Sequence, residues 1–343
     1  MAEYSLRDSI ASLLRGEHFS RAQATQLLDA LLDGEATDAQ IAAALIALKS
    51  KGETVEELAG LAEGMRSRAV RINTRHATFI DTAGTGSSRA KTFNVSTAAA
   101  FVIAGAGLPV AKHGNRAASS LCGSADVLKA LGVNVAVSAE ISENCLNEIG
   151  ICFMFAPLYH GATARVAGIR RELGVQTTFN LLGPLTNPAG APRQIIGVWD
   201  RELLAPLART LALLGTERAW IVHGADGLDE ITIADKTLVA EAKAGEVRVF
   251  EIEPEDFGVE RGALDGLRGG DAEANAKIIR AVLSGARRDE ARTLVVVNAA
   301  AALHVGGLAA NLREGAGLAE KSIDGGAAQG KLEQLARNTN GIG

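Results

Sequence analysis

Four polar stretches hold the residue types that can do chemistry. The first, IDTAGTGSSRAKTFNVST from Ile80 to Thr97, runs a Gly-Thr-Gly turn into Asn94, Ser96 and Thr97. Neither common nucleotide-phosphate loop fits, because each needs a further glycine at a fixed offset. Counting from Gly86 meets Lys91-Thr92, and counting from Gly84 meets Arg89. Small residues followed by donors at a helix N-terminus suit an anion, although a tight turn with a helix cap accounts for the same residues. The second, KHGNRAASSLCGSAD, sets Lys112, His113 and Arg116 beside Asn115, Ser119, Ser120 and Ser124. That density suits several phosphate oxygens, and Gly114 permits an unusual backbone turn. A solvated basic loop with Ser119 or Ser120 as N-cap is the plainer reading.

The third stretch, HGADGLDEI, gathers Asp226, Asp229 and Glu230. Adjacent carboxylates opposite a phosphate loop suit Mg²⁺, which takes few carboxylates beside water and phosphate oxygens. An Asp-Gly turn with exposed acids is the alternative. The fourth, RVAGIRRELGVQTTFNLLGPLTNPAG, carries Arg170 and Arg171 on a helix. One of them can face a cleft and clamp a carboxylate bidentately. Gly183-Pro184 and Asn187-Pro188 mark a rigid connection that can be structural only. No Ser-His-Asp order, Cys-His pair or H-E-x-x-H motif singles out a covalent nucleophile or a zinc hydrolase. The inventory supports an enzyme that binds a Mg²⁺–polyphosphate ester and reacts it with a small acidic partner.

The elements that must position these loops follow from pattern. Before about residue 70, Ser20, Thr37-Asp38-Ala39-Gln40 and Thr54-Val55-Glu56-Glu57 read as helix starts. Ile41, Leu45 and Leu48 recur at helical spacing and predict a helical domain with a packing role. From Phe79, short apolar strands (TFID, PVAKHG, ICFMFAP, QIIGVW, AWIVHG) alternate with Ala/Gly-rich helices, which predicts an α/β domain with a mainly parallel central sheet. Two further strands are expected around ITIADKTLVAE and VRVFEIEP, and helices from Asp271 onward. The expected division is a helical domain over 1–70, joined by part of 165–190, and an α/β domain over 71–343. In such sheets ligands sit beyond the carboxyl ends of strands, where all four loops fall.

With 343 residues and 47% hydrophobic content the chain can bury one large core or two smaller ones, and two domains are expected. A net charge of -5 without a basic stripe argues against duplex nucleic acid as a partner. The longest apolar run, Ala98 to Ala111, falls short of the ~18–20 residues of a membrane-spanning helix. The N-terminus lacks signal-peptide features. Cys122, Cys145 and Cys152 form no C-x-x-C pair, which suggests thiols in a reducing cytoplasm.

The segments AGTG, FNVST, VAKHGNRAASS, GSADVLKALGV, FAPLYH, TFNLLGPLTNPAG and HGADGLDE stand in one order over nearly the whole chain, and through them it resembles the anthranilate phosphoribosyltransferase family. The resemblance implies a small helical domain plus a nucleoside-phosphorylase-like α/β domain, with a cytoplasmic homodimer formed through the helical part. The implied reaction moves phosphoribose from phosphoribosyl pyrophosphate (PRPP) to the amine of anthranilate with Mg²⁺. Carried over by position, the donor would be held by Gly84, Ser87, Ser88, Thr92, Asn94, Val95, Ser96 and Thr97, and by Lys112, His113, Gly114, Asn115, Arg116, Ala117, Ala118, Ser119, Ser120 and Ser124. Ser96, Asp229 and Glu230 would be the metal ligands, and Gly84, Asn115 and Arg170 would line the anthranilate site. The chain departs from the family pattern in reading GTGSS for GTGGD, His160-Gly161 for His-Pro and Gln176-Thr177 for Arg-Thr. A pyrimidine nucleoside phosphorylase shares the architecture but would consume nucleoside and phosphate. A non-catalytic nucleic-acid-binding relative would show salt-sensitive binding.

Overall fold

The computed structural model describes residues 5–86, 90, 92–117 and 121–341. Four helices come first: α1 (Leu6–Leu14), α2 (Arg21–Leu32), α3 (Asp38–Lys51) and α4 (Val55–Arg68). Ser20, Thr37 and Thr54 close reciprocal capping boxes with Gln23, Gln40 and Glu57. These side chains satisfy the first-turn N–H groups that have no partner inside a helix.

The alternating part runs β1 (Ile80–Gly84), α5 (Val95–Gly105), β2 (Val110–Gly114), α6 (Ser124–Ala130), α7 (Ala139–Ile149), β3 (Ile151–Phe155), α8 (Ala156–Tyr159), α9 (Ala164–Leu173), α10 (Phe179–Leu185), β4 (Arg193–Gly197), α11 (Leu204–Leu213) and β5 (Arg218–Gly224). Next come β6 (Thr237–Lys243) and β7 (Glu246–Ile252), then α12 (Ala272–Leu283), α13 (Glu290–Val305), α14 (Leu312–Asp324) and α15 (Ala327–Thr339). The seven strands lie in the order β3-β2-β1-β4-β5-β6-β7. β1 to β5 are parallel, and β6 and β7 add an antiparallel edge. Only the second half of ITIADKTLVAE is strand, because Thr232 and its neighbours fold back in a turn in which Thr232 N donates to Thr237 Oγ1 at 3.1 Å.

Side chains on a strand point alternately to the two faces, and both faces of this sheet are covered. On β5, Trp220 and Val222 join the cluster built on α5 and α13, whereas Ala219 and Ile221 join the cluster built on α2, α4 and α11. α5 and α13 are buried almost all round, which is why their sequences are apolar without a polar stripe. Val166 and Ile169 of α9 and Leu181, Leu182 and Leu185 of α10 pack in the same cluster as Leu27, Leu45 and Leu58 of the first helices. Among the described residues, no helix is long and apolar enough to cross a membrane.

Candidate functional site

The chain crosses the sheet in opposite directions from β1: β2 and β3 lie on one side, β4 and β5 on the other. Such a reversal leaves a crevice beyond the carboxyl ends of the strands. A cleft of about 370 Å³ lies there, lined by the ends of β1 and β2, the start of α5, Arg170 of α9, the first residues of α10 and the Asp229-Glu230 loop. Gly84 and Gly197 end neighbouring strands in register. A Cβ on Gly197 would stand 1.7 Å from the carbonyl oxygen of Asp229. Glycine at 197 therefore lets the acidic loop lie directly on the sheet end.

The strand-end wall is built around Lys112 and the start of α5. Lys112 is 4% exposed; its Nζ donates to the Thr82 carbonyl and lies 3.4 Å from Ser96 Oγ. Burial pulls this ammonium down, and the charges of Asp81 and Glu230 hold it up. The Asn94 side chain does not cap its own helix. Instead its Oδ1 accepts from Asn275 Nδ2 at 2.9 Å and its Nδ2 donates to the Cys122 carbonyl at 3.2 Å. The backbone N–H of Ser96 donates to Glu230 Oε1 at 3.2 Å. Desolvation first, then the charge of Asp229, pushes the Glu230 carboxyl up to about 8. Asp226 stands apart: it is exposed and folds onto its own turn, accepting from Leu228 N at 3.1 Å and from Thr232 Oγ1 at 2.5 Å.

The second loop is closed by Asp126, whose Oδ2 accepts from Ala117 N at 3.1 Å and Gly123 N at 2.9 Å. Gly114 and Gly123 permit that closure, since a Cβ would meet Ser124 Oγ at 2.2 Å or Ala117 N at 2.3 Å. Ser124 Oγ donates to the Asn115 carbonyl at 3.2 Å. The Arg116 guanidinium stands 5.7 Å from the centre of the Phe155 ring, a cation–π distance.

The helical wall is of another kind. Arg170 is half-buried and Arg171 exposed, which settles which arginine faces the cleft. Nη2 of Arg170 donates to Asn180 Oδ1 at 2.9 Å, and its guanidinium stands 5.6 Å from the Phe179 ring centre. Thr178 Oγ1 donates to Glu53 Oε1 at 2.6 Å and ties α10 to the α3–α4 loop. The His113 ring leans this way as well, its Nδ1 3.1 Å from the Gly183 carbonyl and its centre 5.1 Å from that of His160. Burial lowers His113 to about 3 and His160 to about 4, so both rings are neutral. Arg170 Nε, His113 Nε2, His160 Nε2 and Thr177 Oγ1 are buried without a hydrogen-bond partner among the described residues.

Of the residues expected from sequence, Gly84, Thr92, Asn94, Val95, Ser96, Thr97, Lys112, His113, Gly114, Asn115, Arg116, Ala117, Ser124, Arg170, Asp229 and Glu230 line this one cleft. Ser87, Ser88, Ala118, Ser119 and Ser120 lie outside the described residues. Thr97 is 1% exposed, so its hydroxyl sits beneath the surface. Sequence reasoning passed over Phe179, Asn180 and the contribution of Gly183-Pro184 to the lining; their position after the two arginines, in a polar T-T-F-N run, was the available signal. It also missed Asp81, an acid inside an apolar strand.

Residues 7–69 match the glycosyl transferase family, helical bundle domain, and residues 76–329 match the glycosyl transferase family, a/b domain. The chain is 51% identical over 330 residues to the anthranilate phosphoribosyltransferase of Moorella thermoacetica, covering 96% of this chain and 97% of that one. Among solved structures it superposes on anthranilate phosphoribosyltransferase from Thermus thermophilus with a TM-score of 0.91 at 38% identity, covering 97% of this chain and 99% of that one. The Saccharomyces cerevisiae enzyme in complex with PRPP and Mg gives a TM-score of 0.90 at 28% identity, covering 98% of each chain.

Proposed function

The chain belongs to the anthranilate phosphoribosyltransferase family, and we propose that the cleft at the β1–β4 reversal performs that family's reaction. It transfers the phosphoribosyl group of PRPP to the amine of anthranilate, giving N-(5-phosphoribosyl)anthranilate and pyrophosphate in tryptophan biosynthesis. The observation that carries this assignment is the division of one cleft into a wall of buried Lys112 with the half-buried Asp229 and Glu230 and a facing wall with the half-buried Arg170.

On this reading the first wall takes the donor. Departure of pyrophosphate from C1 of the ribose leaves positive charge on the sugar and negative charge on the leaving group. Lys112, fixed against Thr82 and Ser96, and the N-terminus of α5 are aimed before reaction at the site of that negative charge, which is where electrostatic stabilisation is most effective. The loops from Gly84 and Thr92 to Thr97, and from Lys112 to Ala117 with Ser124, supply the remaining donor contacts.

The residues present fit Mg²⁺. Among the described residues, no group of three or more His, Cys, Asp or Glu side chains gathers as a metal cage. Asp229 and Glu230 with the Ser96 hydroxyl instead offer a partial set of hard oxygens, as Mg²⁺ prefers when phosphate and water complete its shell. Burial first and then the like charge of Asp229 raise Glu230, and a cation would relieve the second. Mg²⁺ bound there would neutralise charge on the leaving pyrophosphate.

Across the cleft, Arg170 faces the carboxylate of anthranilate, with Gly84 and Asn115 beside the ring. His113, held neutral by burial, adds no second cation to this wall. An aromatic amine is unprotonated near neutral pH, so holding it in line replaces any demand for a strong base. The helical unit, 1–70 with part of 165–190, would carry the dimer contact in a cytoplasmic homodimer; Leu14 and Ile46 are 73% and 40% exposed on α1 and α3. The test is stoichiometry: pyrophosphate released should equal anthranilate consumed. Turnover of a pyrimidine nucleoside with phosphate, and none with anthranilate, would assign the phosphorylase reaction instead.

A further inference from the structure

β1 and β4 stay in register over Ile80–Gly84, but β1 and β2 register only at Ile80 opposite Val110. Beyond that pair the two strands splay, and side chains carry the bonds that a backbone ladder would have made. Asp81 Oδ1 accepts from the backbone N–H of His113 at 3.1 Å, and its Oδ2 accepts from Asn187 Nδ2 at 2.7 Å. The same Asn187 nitrogen donates to the Ala111 carbonyl at 2.8 Å. From β2, Lys112 Nζ reaches back to the Thr82 carbonyl. Asp81 and Asn187 are 0% and 5% exposed, and neither lines the cleft.

The hydrogen-bond arithmetic leaves no freedom at this wedge. Asn187 Oδ1 accepts from Ala189 N at 2.9 Å, which fixes the orientation of its amide. Asp81 therefore faces two donors and must accept with both oxygens, which a carboxylate does and a carboxamide cannot. A buried donor set against another donor loses its partner and pays its desolvation.

We infer that Asp81, with Asn187, is a positioning residue for the donor half of the reaction: it holds the β1–β2 splay so that Lys112 leaves the strand end with its ammonium between Thr82 and Ser96. The inference rests on the reading of Lys112 as a donor contact. It also gives a role to the polar T-N-P segment at Asn187, 106 positions from Asp81.

The test is steady-state kinetics with Mg²⁺–PRPP and anthranilate for Asp81→Asn, for the swap Asp81→Asn with Asn187→Asp, and for Lys112→Met. Asp81→Asn is expected to lower kcat/KM for PRPP by about 5- to 150-fold, with KM for anthranilate moving less than about threefold. The swap restores donor to acceptor between positions 81 and 187 but turns the donor to the Ala111 carbonyl into a carboxylate oxygen that repels it, so it should recover only part of that loss, about threefold. Wild-type constants in Asp81→Asn, or equal movement of both substrates' constants, overturns the wedge. Unchanged PRPP constants in Lys112→Met would instead overturn the donor reading. If Asp81→Asn does not fold, Asn187→Ser keeps the carboxylate and removes one bridge. It should shift the PRPP constant alone, by about fivefold; no shift, or a shift in both constants, overturns the inference.

Discussion

On the strand-end wall of the cleft, Lys112, Asn94 and Glu230 each hold a protein partner and Thr97 Oγ1 is buried with none among the described residues, whereas on the helical side Arg170 Nε and His113 Nε2 at the cleft, and His160 Nε2 and Thr177 Oγ1 off its lining, are buried with none among the described residues. Buried polar atoms normally find partners, so four on the helical side against one on the strand-end wall set the two apart. The strand-end wall offers charge in places fixed by protein partners. The helical wall presents Arg170 to the cleft with its Nε unpartnered among the described residues, as the proposed acceptor site requires. A polyanionic donor needs the first kind of surface and a flat amino acid-like acceptor the second.

The strongest way to break this contrast is to strip the strand-end wall of its acids. Asp229→Ala with Glu230→Ala should lower Mg²⁺-dependent turnover by about a thousandfold, while anthranilate affinity, read by fluorescence quenching, stays within threefold. Normal Mg²⁺-dependent turnover would refute the metal assignment. Gly197→Ala comes next, because its Cβ would collide with the Asp229 carbonyl at 1.7 Å. About 3 kcal/mol of stability should be lost, visible as a lower urea midpoint; an unchanged midpoint would show that the acidic loop moves away at no cost.

Arg170→Ala sharpens the contrast from the other wall. It should raise KM for anthranilate about 30-fold, the value of a charge-assisted pair, and leave KM for PRPP within threefold. Equal rises in both would dissolve the division of tasks.

The smallest effect concerns pH. His160, at about 4 in the fold, stays neutral where an unfolded histidine, near 6.5, takes a proton. The unfolded chain then binds more protons, so stability falls as pH drops from about 6.5 to 4, by up to about 1.4 kcal/mol per pH unit. His113, at about 3, acts in the same direction. His160→Gln should flatten the fall in urea midpoint between pH 7 and 5; parallel slopes would place a proton on the buried ring.

Local chemistry was readable from the chain. Ser20, Thr37 and Thr54 cap helices because capping boxes span only three residues, and β1 to β5 follow apolar runs bounded by turns. What required the structure is non-local. Arg170 and Arg171 are equivalent in sequence, and Asn180 with Phe179 decides between them. Asp226 resembles its neighbours Asp229 and Glu230, yet its own Asp-Gly turn consumes it. Asp81 reads as a lone acid in TFID until Asn187, 106 positions away, is brought against it.

The measurement that bears most directly on the central claim is the loss of anthranilate fluorescence on mixing the protein with PRPP and Mg²⁺, each component omitted in turn. Loss that requires all three is the predicted result and would also show that GTGSS serves in place of GTGGD. Steady fluorescence in folded protein supplied with all three, or loss without PRPP, would contradict the account.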